Sequence, residues 1–432
     1  MSGRTNRRKF LQTTALTGVG FWVAGGAKAA ESKSANEKIQ FACIGVEGKG
    51  SSDSRDAGRH GDVVAICDVD SERLEKAASR FPNAKKFFDY REMLEKMGDK
   101  IDAVTVSTPD HSHAPASAMA MRMGKHCFCQ KPLAHSVYEA RRMGELAREN
   151  NVATQMGNQG TSLSGLRRGA AVVQAGALGK VTEVHVWTNR PIWAQGGPAP
   201  QPKPVPKNLK WDLWLGPAAY RPYGEGYHPF SWRGWWDFGT GALGDMACHT
   251  ANLAYMALDM RNPTSIEAQD SGNNKQSYPK WSIIKFEFPA TDKRDGFTMT
   301  WYDGGKLPDK KLFEGRELSD SGSLIVGEAG KMFSPNDYGA KWELLGDIKE
   351  PKVEFTKSPG HFTEWAQAIK GGEPARSNFP DYASSLAETI LLGNLAIWAG
   401  KKVEWDAENL KATNAPEVEP LIHPHYRDGW KL

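Results

Sequence analysis

The sequence predicts an α/β chain: a doubly wound parallel sheet, then an α+β domain on an open, mainly antiparallel sheet. Three features predict it. Apolar, strand-like runs alternate with helical patterns between residues 39 and 156; alternation over that length builds a parallel sheet. The first run, Ile39-Gln-Phe-Ala-Cys-Ile-Gly45, stops at a turn holding Gly45, Gly48 and Gly50, and the second, Val63–Cys67, ends in Asp68. From Gly179 onward the texture changes to short β-rich runs, interrupted by a Pro-, Gly- and Trp-rich stretch.

The elements follow in order. A polar helix spans Ser51–His60, and Ser71 caps a second helix that stops at Phe81-Pro82. Lys85–Phe88 is a short strand, Tyr90–Met97 a helix, and Ile101–Ser107 a strand ending in Thr108-Pro109-Asp110-His111-Ser112-His113. A helix over Pro115–Met123 leads to the strand Lys125–Cys129 and then Gln130-Lys131-Pro132. A helix Val137–Asn150 and a strand Val152–Met156 close the unit. Ligands of such sheets bind at the carboxyl ends of the strands, so Asp68, Thr108, Pro109, His113, Gln130 and Lys131 should face one crevice. Beyond Gly179, Lys180–Arg190 reads as an antiparallel strand, Gly241–Leu258 as a small-residue helix, and Ser265–Asp270, Trp281–Phe288, Phe297–Trp301 and Ser323–Val326 as strands. Helices over Phe362–Lys370 and Tyr382–Ala399 precede a tail with His423, His425, Tyr426 and Trp430.

Composition excludes several classes. At 432 residues with 40% hydrophobic and 25% charged side chains, the chain is an ordinary globular protein of two domains. A net charge of +4, with no dense basic block beyond the N-terminus, argues against nucleic acid. Asn6-Arg7-Arg8-Lys9-Phe10-Leu11-Gln12, the apolar stretch Thr13–Ala24 and Ala27-Lys28-Ala29 form a twin-arginine export signal. Residues 1–30 are therefore a signal, and the expected site of action is the periplasm, with no membrane span in the mature chain. Residues 38–158 form the nucleotide domain, 159–415 the substrate domain and 416–432 a tail. The five cysteines are odd in number and four fall in parallel strands, which fits buried thiols rather than a disulfide framework. Export after cytoplasmic folding accounts for an exported chain without disulfides.

The glycine turn is that of a dinucleotide-binding unit: glycines admit a pyrophosphate to helix N–H groups, and the strand-end acid takes a ribose diol. One position departs. In the G-x-G-x-x-G frame the middle place is Glu47, whose charge would repel a pyrophosphate unless it turns away or meets a cation such as Lys49.

Together with Thr108-Pro109, His113, Gln130-Lys131-Pro132 and Gly241-Ala-Leu-Gly-Asp245-Met-Ala-Cys-His249, the turn resembles the glucose–fructose oxidoreductase, inositol dehydrogenase and rhizopine-catabolism (Gfo/Idh/MocA) family. The resemblance covers nearly everything after residue 38. The segments Trp211-Asp-Leu-Trp-Leu-Gly-Pro217 and Trp232-Arg-Gly-Trp-Trp-Asp-Phe238 look like its exported branch. The resemblance implies Gly45, Gly48, Gly50, Asp68, Thr108, Pro109, His113 and Gln130 as the cofactor face, with Lys131, Asp245 and His249 as catalytic groups and no metal. It also implies a homo-oligomer. Two further departures stand out: the family's Glu-Lys-Pro is Gln130-Lys131-Pro132, and Asn252 stands where an aspartate is common, which would alter recognition of a substrate hydroxyl.

Asp245 and His249 lie four apart on one helix face, so Asp245 should orient His249 and favour its charged form; the alternative is a buried pair that only packs a helix. Lys131 should bind or deprotonate the same hydroxyl. His113 is either a nicotinamide or substrate contact or a loop and N-cap residue. Trp193 and Trp211, in a loop with little scope for its own core, are either packing residues or platforms for a sugar ring. The expected activity is oxidation of a sugar or glycoside hydroxyl with tightly held NAD. Asp68 favours NAD over NADP because a carboxylate repels a 2′-phosphate. Two alternatives remain: a redox-neutral glycoside hydrolase using transient oxidation, and a carbohydrate-binding protein that has lost the cofactor.

Overall fold

The computed structural model describes residues 38–432; the twin-arginine segment lies outside the described residues. Residues Lys38–Leu432 form one compact unit holding two sheets. The first contains β1 (Ile39–Ile44), β2 (Gly61–Cys67), β3 (Lys85–Phe87), β4 (Ala103–Val106), β5 (His126–Cys129) and β6 (Thr154–Met156). Their order is β3-β2-β1-β4-β5-β6 and every pairing is parallel. The connecting helices are α1 (Lys49–His60), α2 (Ser71–Arg80), α3 (Tyr90–Met97), α4 (His113–Arg122) and α5 (Val137–Glu149). The near-continuous apolar strands β1, β4, β5 and β6 are buried on both faces, as such a sheet requires, while the edge strand β3 carries the exposed Lys85 and Lys86. Chain order reverses between β1 and β4, so the ligand crevice opens where Gly45 and Ser107 leave those strands.

After α6 (Ser164–Gln174) the second sheet begins with β7 (Val181–Trp187). A long insertion carries α7 (Trp211–Leu215), and then come α8 (Gly241–Thr250) and α9 (Asn252–Leu258). The remaining strands are β8 (Ser265–Asp270), β9 (Ser282–Phe288), β10 (Phe297–Tyr302), β11 (Gly322–Gly327), β12 (Lys331–Ser334) and β13 (Glu343–Leu345), with β14 (Val403–Asp406) and β15 (Lys411–Ala412) beyond two helices. Those are α10 (His361–Ile369) and α11 (Ser384–Ala399). The sheet has nine strands in the order β13-β12-β11-β7-β10-β9-β8-β14-β15.

Several expectations shift. β7 is antiparallel to β11 but parallel to β10, because the chain wraps through the insertion and two helices before returning beside it. The single helix expected over 241–258 breaks between Thr250 and Asn252. Strands β12 and β13 and helix α6 carry no strong signal of their own and form through pairing and packing. Helix α10 leaves the second sheet and packs on the first: Trp365 lies 5.7 Å from Phe41, and Phe362 4.8 Å from Phe128.

All five cysteines are free and buried, four of them in β1, β2 and β5. Burial pushes the thiols of Cys43, Cys127 and Cys248 up to about 12, so they behave as small apolar groups. Among the described residues, no helix is long and apolar enough to cross a membrane.

Candidate functional site

The carboxyl ends of the parallel strands open into a cleft of about 380 Å³. Gly45, Gly48, Asp68, Thr108, Pro109, His113, Gln130 and Lys131 line it; Gly50, Asp245 and His249 do not. Each glycine has a distinct task. Gly45 turns left-handed (φ 75°) with its Cα against Ser107, where a Cβ would lie 2.5 Å from the carbonyl oxygen. A Cβ on Gly50 would meet the Gly45 carbonyl at 1.9 Å, so Gly50 packs α1 against β1 rather than touching a ligand. Gly48 (φ 59°) would meet nothing within 4 Å, and it begins α1 without any side-chain cap. Of the first N–H groups of this twelve-residue helix, Gly50 and Ser51 donate within the turn to the carbonyls of Glu47 (3.2 Å) and Gly48 (3.3 Å), which leaves the N–H of Lys49, at the cleft, to meet an anion at the helix start.

Glu47 does not oppose that anion. Its carboxylate is held by Lys76 (2.8 Å) and Arg80 (2.7 Å) of α2. Burial would raise its pKa, but the two cations hold it below the usual range. Lys49, the other cation considered from sequence, instead pairs with Asp53 at 2.8 Å. At the end of β2, Asp68 accepts from the N–H groups of Val46 (3.1 Å) and Asp70 (3.0 Å), one on each carboxylate oxygen. Burial raises its pKa against those bonds and nearby Arg73. Each oxygen keeps a lone pair for a ribose hydroxyl. This cradle, with an open glycine, the Lys49 N–H at the start of α1 and an oriented strand-end acid, fits a dinucleotide.

Two assigned cofactor contacts, His113 and Gln130, line the cleft and also serve as internal supports. The His113 ring lies between two main-chain carbonyls, Thr108 O (Nε2, 2.8 Å) and Pro132 O (Nδ1, 2.7 Å), and in the neutral form that burial favours it donates to one of them, with both ring nitrogens turned to the main chain. It ties the β4 end to the β5 end. Gln130 donates through Nε2 to Asp53 at 2.8 Å, and the same Asp53 oxygen accepts from Ser107 Oγ at 2.8 Å. A glutamate at 130 would face that buried carboxylate, whereas an amide donates to it; Asp53 explains the departure.

At the reacting end, Lys131 Nζ donates to the Asp245 carboxylate (2.8 Å) and to its main-chain carbonyl (2.7 Å). Arg233 Nε reaches the same Oδ1 at 3.1 Å. Burial would raise Asp245, but Lys131 and Arg233 hold it at about 2. The expected Asp245–His249 pair is corrected: Asp245 turns to Lys131 and Arg233, and His249 Nδ1 is buried without a hydrogen-bond partner among the described residues. Burial, then the Lys131 charge, pushes His249 down to about 3, the opposite of the charged form expected. Its ring meets the edge of Tyr338 at 5.0 Å. Asn252 is also corrected. It is fully buried, donating to Thr161 Oγ1 at 2.8 Å and accepting from Tyr382 Oη at 2.5 Å, so it is not free for a substrate hydroxyl.

The tryptophans form the core that the insertion was expected to lack. Trp211 and Trp214 stack at 4.6 Å, and Leu209, Tyr227, Trp232, Trp235 and Phe238 join them. Trp193 is 7% exposed, with its Nε1 donating to Gln195. That core seats the insertion over the cleft, where Trp214, Trp232 and Arg233 form the wall.

Residues 39–158 match the oxidoreductase family, NAD-binding Rossmann fold, and residues 167–432 match the same family's C-terminal alpha/beta domain. The chain belongs to the Gfo/Idh/MocA oxidoreductase family. Its cofactor is NAD, and Gly48, Asp68 and the Lys49 N–H of α1 are the groups that fit it. Similar proteins include the levoglucosan dehydrogenase of Pseudarthrobacter phenanthrenivorans, 24% identical over 44% of this chain and 40% of that one. The inositol 2-dehydrogenase of Salmonella typhimurium is 27% identical over 29% and 37%. The chain thus spans less than half the length of these curated relatives. Among solved structures, the WlbA dehydrogenase of Bordetella pertussis, in complex with NADH and UDP-GlcNAcA, shares the fold (TM-score 0.60, 17% identity, 86% of this chain and 99% of that one). So does the aldose–aldose oxidoreductase of Caulobacter crescentus (TM-score 0.57, 17% identity, 85% and 100%).

Sequence reading missed Arg233, Asp53, and the Lys76–Arg80 pair that neutralises Glu47. Arg233 had a signal, a lone cation inside the aromatic run Trp232-Arg-Gly-Trp-Trp236. The others announce nothing locally, since their roles exist only across elements.

Proposed function

We propose that this Gfo/Idh/MocA protein is an exported, NAD-dependent oxidoreductase that oxidises a hydroxyl of a sugar or glycoside while holding its NAD tightly. The observation that carries the reading is the Lys131–Asp245–Arg233 cluster beside the strand-end cleft. Lys131, fixed by two bonds to Asp245, steadies the alkoxide that develops as the hydroxyl loses its proton. His249, set behind Lys131 with its Nδ1 unpartnered, is the proposed acceptor of that proton; burial and the Lys131 charge hold it neutral at rest, and its basicity rises as the developing alkoxide offsets that charge. Asp245 is a positioning residue: ionised throughout, it holds both cations rather than taking a proton. Bound NAD supplies the hydride acceptor. The saccharide assignment is supported by the names of the relatives, levoglucosan and inositol dehydrogenases among them. The carboxylate of Asp68 disfavours a 2′-phosphate, which makes NADP the poorer ligand. The binding-protein alternative loses its main support, because Glu47 is neutralised by Lys76 and Arg80.

Export by the Arg7-Arg8 signal and tight retention belong together. A folded chain can carry its cofactor across, where no free nicotinamide pool awaits. The periplasm is the proposed site of action. The test is to dialyse the purified protein, denature it and weigh any released dinucleotide, then follow NADH formation with saccharides. An empty protein that binds added NAD weakly overturns the retained-cofactor reading. Released NAD with turnover but no net NADH points to the redox-neutral reaction.

A further inference from the structure

We propose that Trp430, with Leu213 and Trp214 of the insertion, closes the adenine end of the cleft, so that two segments outside the nucleotide sheet hold the cofactor. The inference rests on the NAD reading above. If Asp68 takes the ribose diol, the base attached to that ribose lies in the adjoining part of the same cleft. The walls around Asp68 can be traced bond by bond. Its N–H donates to Phe87 O at the end of β3 (3.2 Å), and Tyr90 opens α3 three residues later. The Trp430 ring lies 5.9 Å from Tyr90, under the Arg91 guanidinium at 4.0 Å, while Arg91 Nη1 donates to Gly429 O at 3.0 Å. Trp430 is 9% exposed and lines the cleft.

The opposite wall comes from the insertion. The Lys210 N–H donates to Val69 O at 2.9 Å, which brings α7 over the residue after Asp68. Leu213 and Trp214 then face the cleft. The two walls are joined directly: Arg427 Nε donates to Gly216 O (2.6 Å), and Arg427 Nη1 pairs with Asp212 (2.6 Å). Adenine is flat and neutral, so indole and aliphatic walls suit it without any charged partner. Residues from three separated parts of the chain meet near the ribose acid, so a base held there lies between the insertion and the 423–432 segment.

Packing alone would also explain Trp430 against Tyr90, and the test separates the two. Protein stripped of dinucleotide is titrated with ADP-ribose, which carries the base, and with reduced nicotinamide mononucleotide, which lacks it. In Trp430→Ala the ADP-ribose affinity should fall by about tenfold to a hundredfold, the size of one lost base–aromatic stack, with mononucleotide affinity unchanged. Trp430→Phe should restore most of the loss. Leu213→Ala, on the other wall, should weaken ADP-ribose in the same selective way. Equal loss for both ligands, or unchanged ADP-ribose binding in Trp430→Ala and Leu213→Ala, overturns the proposal. A wild-type protein that binds neither ligand overturns the NAD reading itself.

Discussion

Lys131 and Asp245 are 114 positions apart in sequence, yet their contact defines the reacting end. Replacing Lys131 by alanine should lower hydride transfer about a hundredfold or more, the usual weight of one proton-handling or alkoxide-steadying group, with NAD still bound. Steady-state turnover beside dinucleotide content measures both, and near-normal turnover would remove Lys131 from the mechanism. Gln130 offers a second residue-scale test. Gln130→Glu sets a carboxylate against buried Asp53, where the amide now donates at 2.8 Å, and should cost about 1–3 kcal/mol of stability. Adding Asp53→Asn should recover much of it; a double variant no more stable than Gln130→Glu would count against like-charge repulsion. Asp68 and Lys131 were legible because a strand-end position dictates where a side chain faces. The Asp245–His249 spacing misled because it puts two residues on one helix side but says nothing of the cations arriving from β5 and the insertion.

The glycine turn is the element whose parts separate most cleanly. Gly50→Ala drives a Cβ to 1.9 Å from the Gly45 carbonyl, so α1 must move and stability should fall by about 1–3 kcal/mol. Gly48→Ala meets no atom within 4 Å; it strains a backbone (φ 59°, ψ −123°) that is almost confined to glycine, by about 1–3 kcal/mol, and puts a methyl beside the anion site. Both variants should therefore lower the melting temperature, while Gly48→Ala, whose methyl stands at the cleft, should weaken NAD binding well beyond Gly50→Ala. Denaturation curves and NAD titrations on both variants decide this. Helix α10 supplies a pH dependence. His361 is half-buried and neutral, with Nε2 donating to Met156 O (2.8 Å) and Nδ1 accepting from Ser162 Oγ (2.7 Å). Burial pushes its pKa down to about 4, against 6.5 when unfolded. The folded state thus binds fewer protons, and stability is lost as pH falls from 6.5 towards 4. Between about pH 7 and pH 5 this one group should cost about 2 kcal/mol. Urea unfolding of wild type and His361→Gln at the two pH values checks it; an unchanged pH slope in the variant would exclude His361 as the source.

At the scale of the whole molecule, the first sheet has both faces covered by helices. The second packs one face on α8, α9 and α11, while Glu183, Glu267 and Lys285 stand exposed along its strands. Family resemblance implies pairing between subunits at the edges of such open sheets, as a dimer or tetramer, and light scattering at micromolar concentration should give a mass above one chain. A monomer would remove that expectation. The insertion matters as much at this scale. Its aromatic core lets a Pro- and Gly-rich segment with little regular structure keep one shape over the cleft, and so it brings Arg233 to Asp245.

The sequence by itself determined the alternation of strands and helices, the switch in texture near Gly179, the glycine turn, and the strand-end positions of Asp68 and Lys131. All of these follow from local periodicity and from the few residues that tolerate a given backbone. Tertiary structure alone decided the partners of charge. Glu47 looks hostile to a phosphate until Lys76 and Arg80 arrive from α2. Asn252 looks free until Thr161 and Tyr382 enclose it, and His249 looks oriented until Asp245 turns away. Hydrogen bonds and ion pairs act over a few ångströms in space, and separations of 29 to 130 residues in sequence leave no periodicity from which to read them.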